Sequence, residues 1–259
     1  MNTPTETEKD FRPLGCKECL DGTPLGFPIT MAFQPIIDAQ TKTVFAYEAL
    51  VRGTDGAGAG EVLSQIDETN RYVFDQTCRV TAIKLASDLG LDCILSINFL
   101  PNAVYRPETC IRATLEAADE FGFPADKIMF EVTESEPIKD PVHLLNIFNE
   151  YNDRGFITAI DDFGSGYAGL NLLSKFKPQI LKIDMELCQG ISEDMVKKTI
   201  TKGAVETCHA LDIKVIAEGV ETQADLDTLL GMGIDYFQGY IFGKPQIEKL
   251  PLPDYSSLD

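Results

Sequence analysis

Apolar residues recur along this chain in two alternating rhythms. Short runs rich in Val, Ile, Phe and Tyr occupy 31–38, 43–52, 93–100, 127–134, 156–162, 179–185, 214–219 and 236–243, and each reads as a strand. Between most of them apolar positions return every three or four residues. That spacing predicts helices over 61–90 (with one break), 107–122, 140–154, 193–211 and 222–231. Pro141 directly after Asp140 is a helix-start signal. Eight strands with helices between them in roughly 230 residues fit a (β/α)8 barrel of TIM type, with a doubly wound sheet as the rival fold. One junction breaks the regular pattern. Only Ala39-Gln40-Thr41-Lys42 separates the first two strands, too few residues for a crossover helix. A hairpin follows, with the first strand antiparallel to the others.

Residues 1–28 are polar, rich in Pro and Gly and without period, so they read as a loose arm ahead of a barrel domain at 29–259. There is no sequence repeat and no low-complexity segment, and the barrel leaves no room for a sensory domain. The chain reads either as a free-standing enzyme or as a piece of a longer one. No apolar run approaches the length of a bilayer span, and no basic-led apolar leader opens the chain, so neither membrane insertion nor secretion is expected. Seven cysteines, an odd number spread thinly, suit a reducing cytoplasm better than a disulfide framework. The formal net charge of −19 disfavours DNA, RNA and anionic membranes as partners. An anionic substrate could bind only where metal ions or local cations reverse that sign.

The strand ends change the picture further. Barrel chemistry gathers at the C-terminal ends of the strands. Reading that rim gives Glu48, Asn98, Glu131, the pair Asp161–Asp162, Lys182, Glu218 and Gln238 on seven successive strands. Five carboxylates and an amide oxygen are hard ligands, suited to Mg²⁺ or Mn²⁺ rather than zinc. They are too many for one magnesium ion, which prefers to keep waters. Two ions bridged by one carboxylate use them better, the arrangement suited to in-line attack on a phosphodiester. Lys182 among these acids can hold the attacking water or stabilise phosphoryl charge.

The segments carrying these residues resemble the EAL domain family of cyclic di-GMP phosphodiesterases. The motif that names the family stands at Glu48-Ala49-Leu50, followed by Val51-Arg52. FQPI (33–36), INFLP (97–101), FEVTES (130–135), IDDFGSGY (160–167), LKID (181–184), VIAEGVET (215–222) and QGYIFGKP (238–245) follow in family order. The resemblance implies a barrel with one reversed strand and hydrolysis of cyclic di-GMP to linear pGpG. It implies that Glu48, Asn98, Glu131 and Asp161 hold one Mg²⁺ or Mn²⁺, and that Asp161, Asp162 and Glu218 serve a second. Glu48, Lys182 and Glu218 form the implied catalytic set, Lys182 orienting the water and Glu218 serving as base. Gln34, Leu50, Arg52 and Gln238 would meet the nucleotide, Arg52 at a phosphate. Glu134 and Glu221 would be supporting carboxylates, Glu134 tethering the loop after the fifth strand. The resemblance also implies a homodimer contact through the largely apolar stretch from Gly164 to Phe176, with Tyr167, Leu170, Leu172, Leu173 and Phe176. Ser165 stands where the family commonly has Thr, and Ala168-Gly169 where it has small polar residues. These departures bear on the stiffness of the loop, not on any ligand.

Other readings of the same residues are weaker. The DFG at 162–164 lacks a kinase's glycine-rich strand pair and HRD loop. The GAGAG at 56–60 lacks the strand–turn–helix unit of a dinucleotide site and reads as a connector. Cys16 and Cys19 form a single CxxC, the spacing of half a zinc site or a redox pair, and without a second CxxC they read as two reduced thiols on the arm. His143 and His209 read as ordinary helix residues, and the remaining cysteines as core fillers. A catalytically silent cyclic di-GMP receptor, and an enolase-like magnesium enzyme with Lys182 as base, are the rival functions.

Overall fold

The hairpin predicted from the four-residue junction starts the fold. The computed structural model describes residues 25–104, 106–133, 140–166 and 169–259. β1 (Ile29–Asp38) and β2 (Thr43–Gly53) pair antiparallel, with Gln34 opposite Glu48. The Asp38 side chain closes the turn by accepting from the amides of Gln40 and Thr41 at 2.8 and 3.0 Å.

Six parallel strands follow: β3 (Ile94–Asn98), β4 (Ile128–Thr133), β5 (Ile157–Phe163), β6 (Ile180–Ile183), β7 (Lys214–Ala217) and β8 (Tyr236–Gln238). Each pairs with its sequence predecessor, and β8 closes the barrel by pairing antiparallel with β1. This is a TIM-type barrel with its first strand reversed, as the short junction and the resemblance both require.

The helices are α1 (Ala59–Leu63), α2 (Arg71–Asp88), α3 (Pro107–Phe121), α4 (Pro141–Asp153), α5 (Gly169–Leu173), α6 (Met185–Cys188), α7 (Met195–Ala210) and α8 (Gln223–Leu230). Their starts follow from side-chain chemistry. Asp140 caps α4 by accepting from the Val142 and His143 amides, ahead of Pro141. Asp194 caps α7, and Thr222 with Asp225 makes a reciprocal cap on α8. The break predicted inside 61–90 separates α1 from α2.

Several strands stop earlier than their apolar runs. The run at 236–243 ends as a strand at Gln238, and the next residue, Gly239, packs too close to the Val220 backbone to carry a side chain. The chain turns there and returns as β9 (Gln246–Ile247), an unforeseen strand on the same edge of β1. The run at 179–185 ends at Ile183, since Asp184 caps the unforeseen α6.

Most of the core lies between the sheet and the helices, with a smaller set inside the barrel: Ile36, Ala46, Met129, Ala159, Ile180 and Ile216. Period-two alternation sorts these faces. Each buried large aliphatic or aromatic side chain contributes about 1.5–3 kcal/mol.

Two observations bear on the expected arm and dimer contact. Leu25, inside the expected arm, is buried against the core. Of the apolar set assigned to a dimer contact, Leu172, Leu173 and Phe176 serve this chain's own core, with Phe176 stacked on Phe148 at 3.9 Å. A short helix needs an inner face, and these residues supply it. Leu170 is 63% exposed, and Tyr167 lies outside the described residues. Cys16, Cys19 and Glu134 lie outside them too. The five described cysteines are free, and none is exposed. His143 Nε2 bonds the Val104 carbonyl, so it ties α4 to the loop after β3. Among the described residues no helix is long and apolar enough to cross a membrane.

Candidate metal centre

Alternation along the strands delivers the rim residues to one place. Phe130 and Val132 face the helices, so Glu131 between them faces the barrel interior; Leu181 and Ile183 do the same for Lys182. Glu48 and Asn98 come up on β2 and β3, and Asp161 on β5. Glu218 follows β7, its amide continuing the ladder to the Ile183 carbonyl at 3.1 Å.

Lys182 has no exposed surface and stands at the centre. Its Nζ lies 2.7 Å from Glu218, 3.0 Å from Glu131, 3.1 Å from Asp161 and 3.4 Å from Glu48. Burial pulls the Lys182 pKa down, but the surrounding carboxylates outweigh it and hold the ammonium well above its usual range.

One ammonium cannot balance this set. Carboxylate oxygens of Glu48, Glu131 and Asp161 all lie within 4.8 Å of one another, and so do those of Asp161, Asp162 and Glu218. Asp161 belongs to both triads. Burial lifts Glu131 to about 8, with Glu48 and Asp161 adding to the rise against Lys182. Burial and then Asp161 lift Asp162 to about 7, and burial followed by Asp161 pushes Glu218 well above the carboxylate range. Glu131 Oε1 is buried with no hydrogen-bond partner among the described residues. A buried carboxylate oxygen without a hydrogen-bond partner, in a triad of acids, is a donor prepared for a cation. Fully ionised, the five carboxylates and Lys182 leave four negative charges, which two divalent cations balance. The residues present therefore fit a pair of hard cations.

Neighbouring amides orient the ligands. Asn98 Nδ2 donates to Glu48 Oε1 at 2.7 Å, which turns its own oxygen away from that bond. Gln238 Nε2 donates to Glu48 Oε2 at 2.7 Å and to Gln34 Oε1 at 3.3 Å, while Gln34 donates to the Gly243 carbonyl. Gln238 Oε1 is buried and unpartnered among the described residues.

Asp162 sits at φ +54°, and its amide donates to Asp161 Oδ1 at 2.9 Å. That left-handed conformation is uncommon for a residue other than Gly, and it brings the second carboxylate beside the first. Gly164 at φ +102° follows, where a Cβ would lie 2.4 Å from Leu187 Cδ1.

Arg52 is half-buried and donates to the Val51 carbonyl; it makes no ion pair with a described residue. Leu50 lines a cavity that Asn98 and Asp162 also line. Glu221 stands apart from the centre, exposed, with a long 3.5 Å bond from Gln189.

The rim reading passed over Asp184, a buried carboxylate that faces Asp162 and helps raise its pKa. Its signal was present: two positions after Lys182, it projects from the same side of the chain. Asp75 and Arg79 were also passed over, because helix periodicity assigns them no special face.

Comparison with known proteins agrees with this geometry. The EAL domain profile matches residues 28–245. The standalone versatile EAL protein from Vibrio cholerae O395, solved in its c-di-GMP bound form, is 50% identical with a TM-score of 0.88, covering 91% of this chain and 100% of that one. Klebsiella pneumoniae BlrP1, solved as a manganese/cy-diGMP complex, is 35% identical with a TM-score of 0.81, over 86% of this chain and 57% of that one. The Escherichia coli (strain K12) proteins BluF, a blue light- and temperature-regulated antirepressor, and PdeG, a probable cyclic di-GMP phosphodiesterase, are each 30% identical. The matches cover 85% and 82% of this chain, which spans only 55% of BluF and 44% of PdeG. With its profile match spanning the whole barrel and the motifs standing at the strand ends, the chain belongs to the EAL domain family.

Proposed function

We propose that this protein is a phosphodiesterase that hydrolyses cyclic di-GMP to linear 5′-pGpG. The observation that carries the reading is the pair of carboxylate triads sharing Asp161 around a buried lysine. Glu48, Asn98, Glu131 and Asp161 would hold one Mg²⁺ or Mn²⁺, and Asp161, Asp162 and Glu218 the second. When bound, the two ions supply Lewis acidity that makes water nucleophilic at neutral pH and stabilises charge on the phosphoryl oxygens.

The chain's own groups do the rest. Lys182 Nζ donates to the attacking water and fixes its approach. The carboxylate of Glu218 accepts the proton that water loses. Water oxygen bonds to phosphorus as the bond to the 3′-oxygen breaks in line, and that oxygen leaves as the 3′-hydroxyl, taking up a proton equivalent to the one Glu218 accepted. Arg52 pairs with a phosphate of the dinucleotide, while Gln34, Leu50 and Gln238 position it, with Glu134 and Glu221 in support. Gln238 Oε1, buried and without a partner among the described residues, supports that assignment. A dimer through the region around α5, with exposed Leu170, is part of the same reading, as is a cytoplasmic site of action.

A silent receptor would be expected to have lost a ligand, and every rim position is filled here. Asp161→Asn tests the carrying observation. Titration calorimetry should find two Mn²⁺ per wild-type chain and at most one per variant; two ions retained by the variant would contradict the shared-carboxylate centre.

A further inference from the structure

Behind the barrel wall, on the side away from the carboxylates, a second charged group is sealed from solvent. Arg79 of α2 has no exposed surface, and its Nε lies 2.8 Å from Asp75 Oδ2, one turn earlier. Its Nη1 donates to Tyr151 Oη of α4 at 2.8 Å. Its guanidinium carbon lies 4.8 Å from the ring centroid of Phe130, 5.5 Å from Phe99 and 5.6 Å from Tyr151. Replacing such a buried pair with apolar residues is often neutral or stabilising, so stability alone does not account for it.

Its contacts do. Asn98 and Glu131 face one another across β3 and β4, and Phe99 and Phe130 are the outward neighbours of those two residues. Arg79 therefore packs against the back of both positions. The backbone leaving Asn98 is held at two amides. Phe99 N donates to the Glu131 carbonyl at 3.0 Å, and Leu100 N donates to Asp75 Oδ1 at 2.9 Å. This turn borders a cavity of about 380 Å³ that Asp75, Asn98 and Leu100 all line, so packing leaves it partly unsupported there. Gln76 Nε2 and Arg79 in turn fix the Asp75 carboxylate.

The geometry points to Asp75 and Arg79 as positioning residues that hold the Asn98 oxygen and Glu131 in register. Resting on the metal reading above, they set the affinity of the ion assigned to Glu48, Asn98, Glu131 and Asp161. Neither belongs to the carboxylate triads, and both act through the Asn98 and Glu131 backbone.

The test is Mn²⁺ calorimetry on the whole chain, with thermal unfolding and steady-state kinetics alongside. Asp75→Leu with Arg79→Met removes both charges and keeps the volume. Expected are near-native unfolding, Mn²⁺ affinity at that ion weakened about 10- to 100-fold, lower kcat, and an unchanged KM for cyclic di-GMP. Asp75→Asn with Arg79→Met restores an acceptor for the Leu100 amide while the Arg79 contacts stay lost, so it should recover only part of the lost affinity; no recovery overturns the role of Asp75, and full recovery overturns that of Arg79. A folded Leu/Met variant with wild-type Mn²⁺ affinity overturns the assignment. Should that variant not fold, Arg79→Lys decides. It keeps the charge beside Asp75 but loses the ring stacking and the Tyr151 bond, so weakened Mn²⁺ binding supports positioning and unchanged binding overturns it. Wild type that binds no Mn²⁺ overturns the metal reading and this assignment together. Wild type that binds Mn²⁺ but leaves cyclic di-GMP intact overturns only the hydrolase reading, and the affinity comparison still decides this one.

Discussion

At the scale of single residues, the centre is governed by charge that the protein alone does not neutralise. Lys182 satisfies parts of four carboxylates, yet Glu131 Oε1 keeps no hydrogen-bond partner among the described residues. Lys182→Met should leave Mn²⁺ binding in place, because the ligands remain, while kcat for pGpG release falls about 10²- to 10³-fold. Calorimetry and single-turnover chromatography separate those two effects. Arg52 makes no ion pair with a described residue, so Arg52→Ala should raise KM about tenfold or more with a smaller change in kcat. A raised kcat or an unmoved KM would remove Arg52 from the phosphate. The strand-end acids were legible in the sequence because each interrupts an apolar run. Asp75 and Arg79 were not, since a buried ion pair on a helix looks like a solvated one until the helix is docked.

At the scale of elements, backbone conformation sets the chemistry of the loops. Asp162 at φ +54° and Gly164 at φ +102° turn the chain sharply after β5, and both aspartates reach the centre through that turn. Gly164→Ala meets the flexible end of Leu187, so the expected cost is modest, about 1–3 kcal/mol of backbone strain. Gly239→Ala meets the backbone of Val220 instead and should cost at least as much. Urea unfolding of the two variants should rank Gly239→Ala below Gly164→Ala, and the reverse order would contradict this account of the β8 turn. These positions also mark where the sequence stopped being informative. Apolar runs gave the strands and the four-residue junction gave the reversed hairpin. The early end of the strand at Gln238, and the return as β9, depend on a tertiary contact that no local pattern records.

At the scale of the whole molecule, the acids of the centre link stability to pH and to metal. Glu131 at about 8, Asp162 at about 7 and the raised Glu218 all titrate above their unfolded values. Such groups favour the folded state at low pH, and that contribution is lost as pH rises through the folded pKa values. Metal-free protein should therefore melt at progressively lower temperature between about pH 6 and pH 9. Divalent ions displace those protons, so Mn²⁺ should raise the melting temperature more at pH 8 than at pH 6. Scanning calorimetry with and without chelator checks both slopes. Light scattering at micromolar concentration with Mn²⁺ and nucleotide should report a dimer, and a monomer throughout would remove that part of the reading. The fold and the family were legible because motif order and strand spacing agree, whereas the state of assembly depends on surfaces that one chain does not pair. The most direct measurement is product analysis by liquid chromatography and mass spectrometry after incubating purified protein with Mn²⁺ and cyclic di-GMP. Linear 5′-pGpG, formed by wild type and lost with chelator, is the predicted result; tight binding of cyclic di-GMP by metal-replete protein that leaves it intact would contradict it.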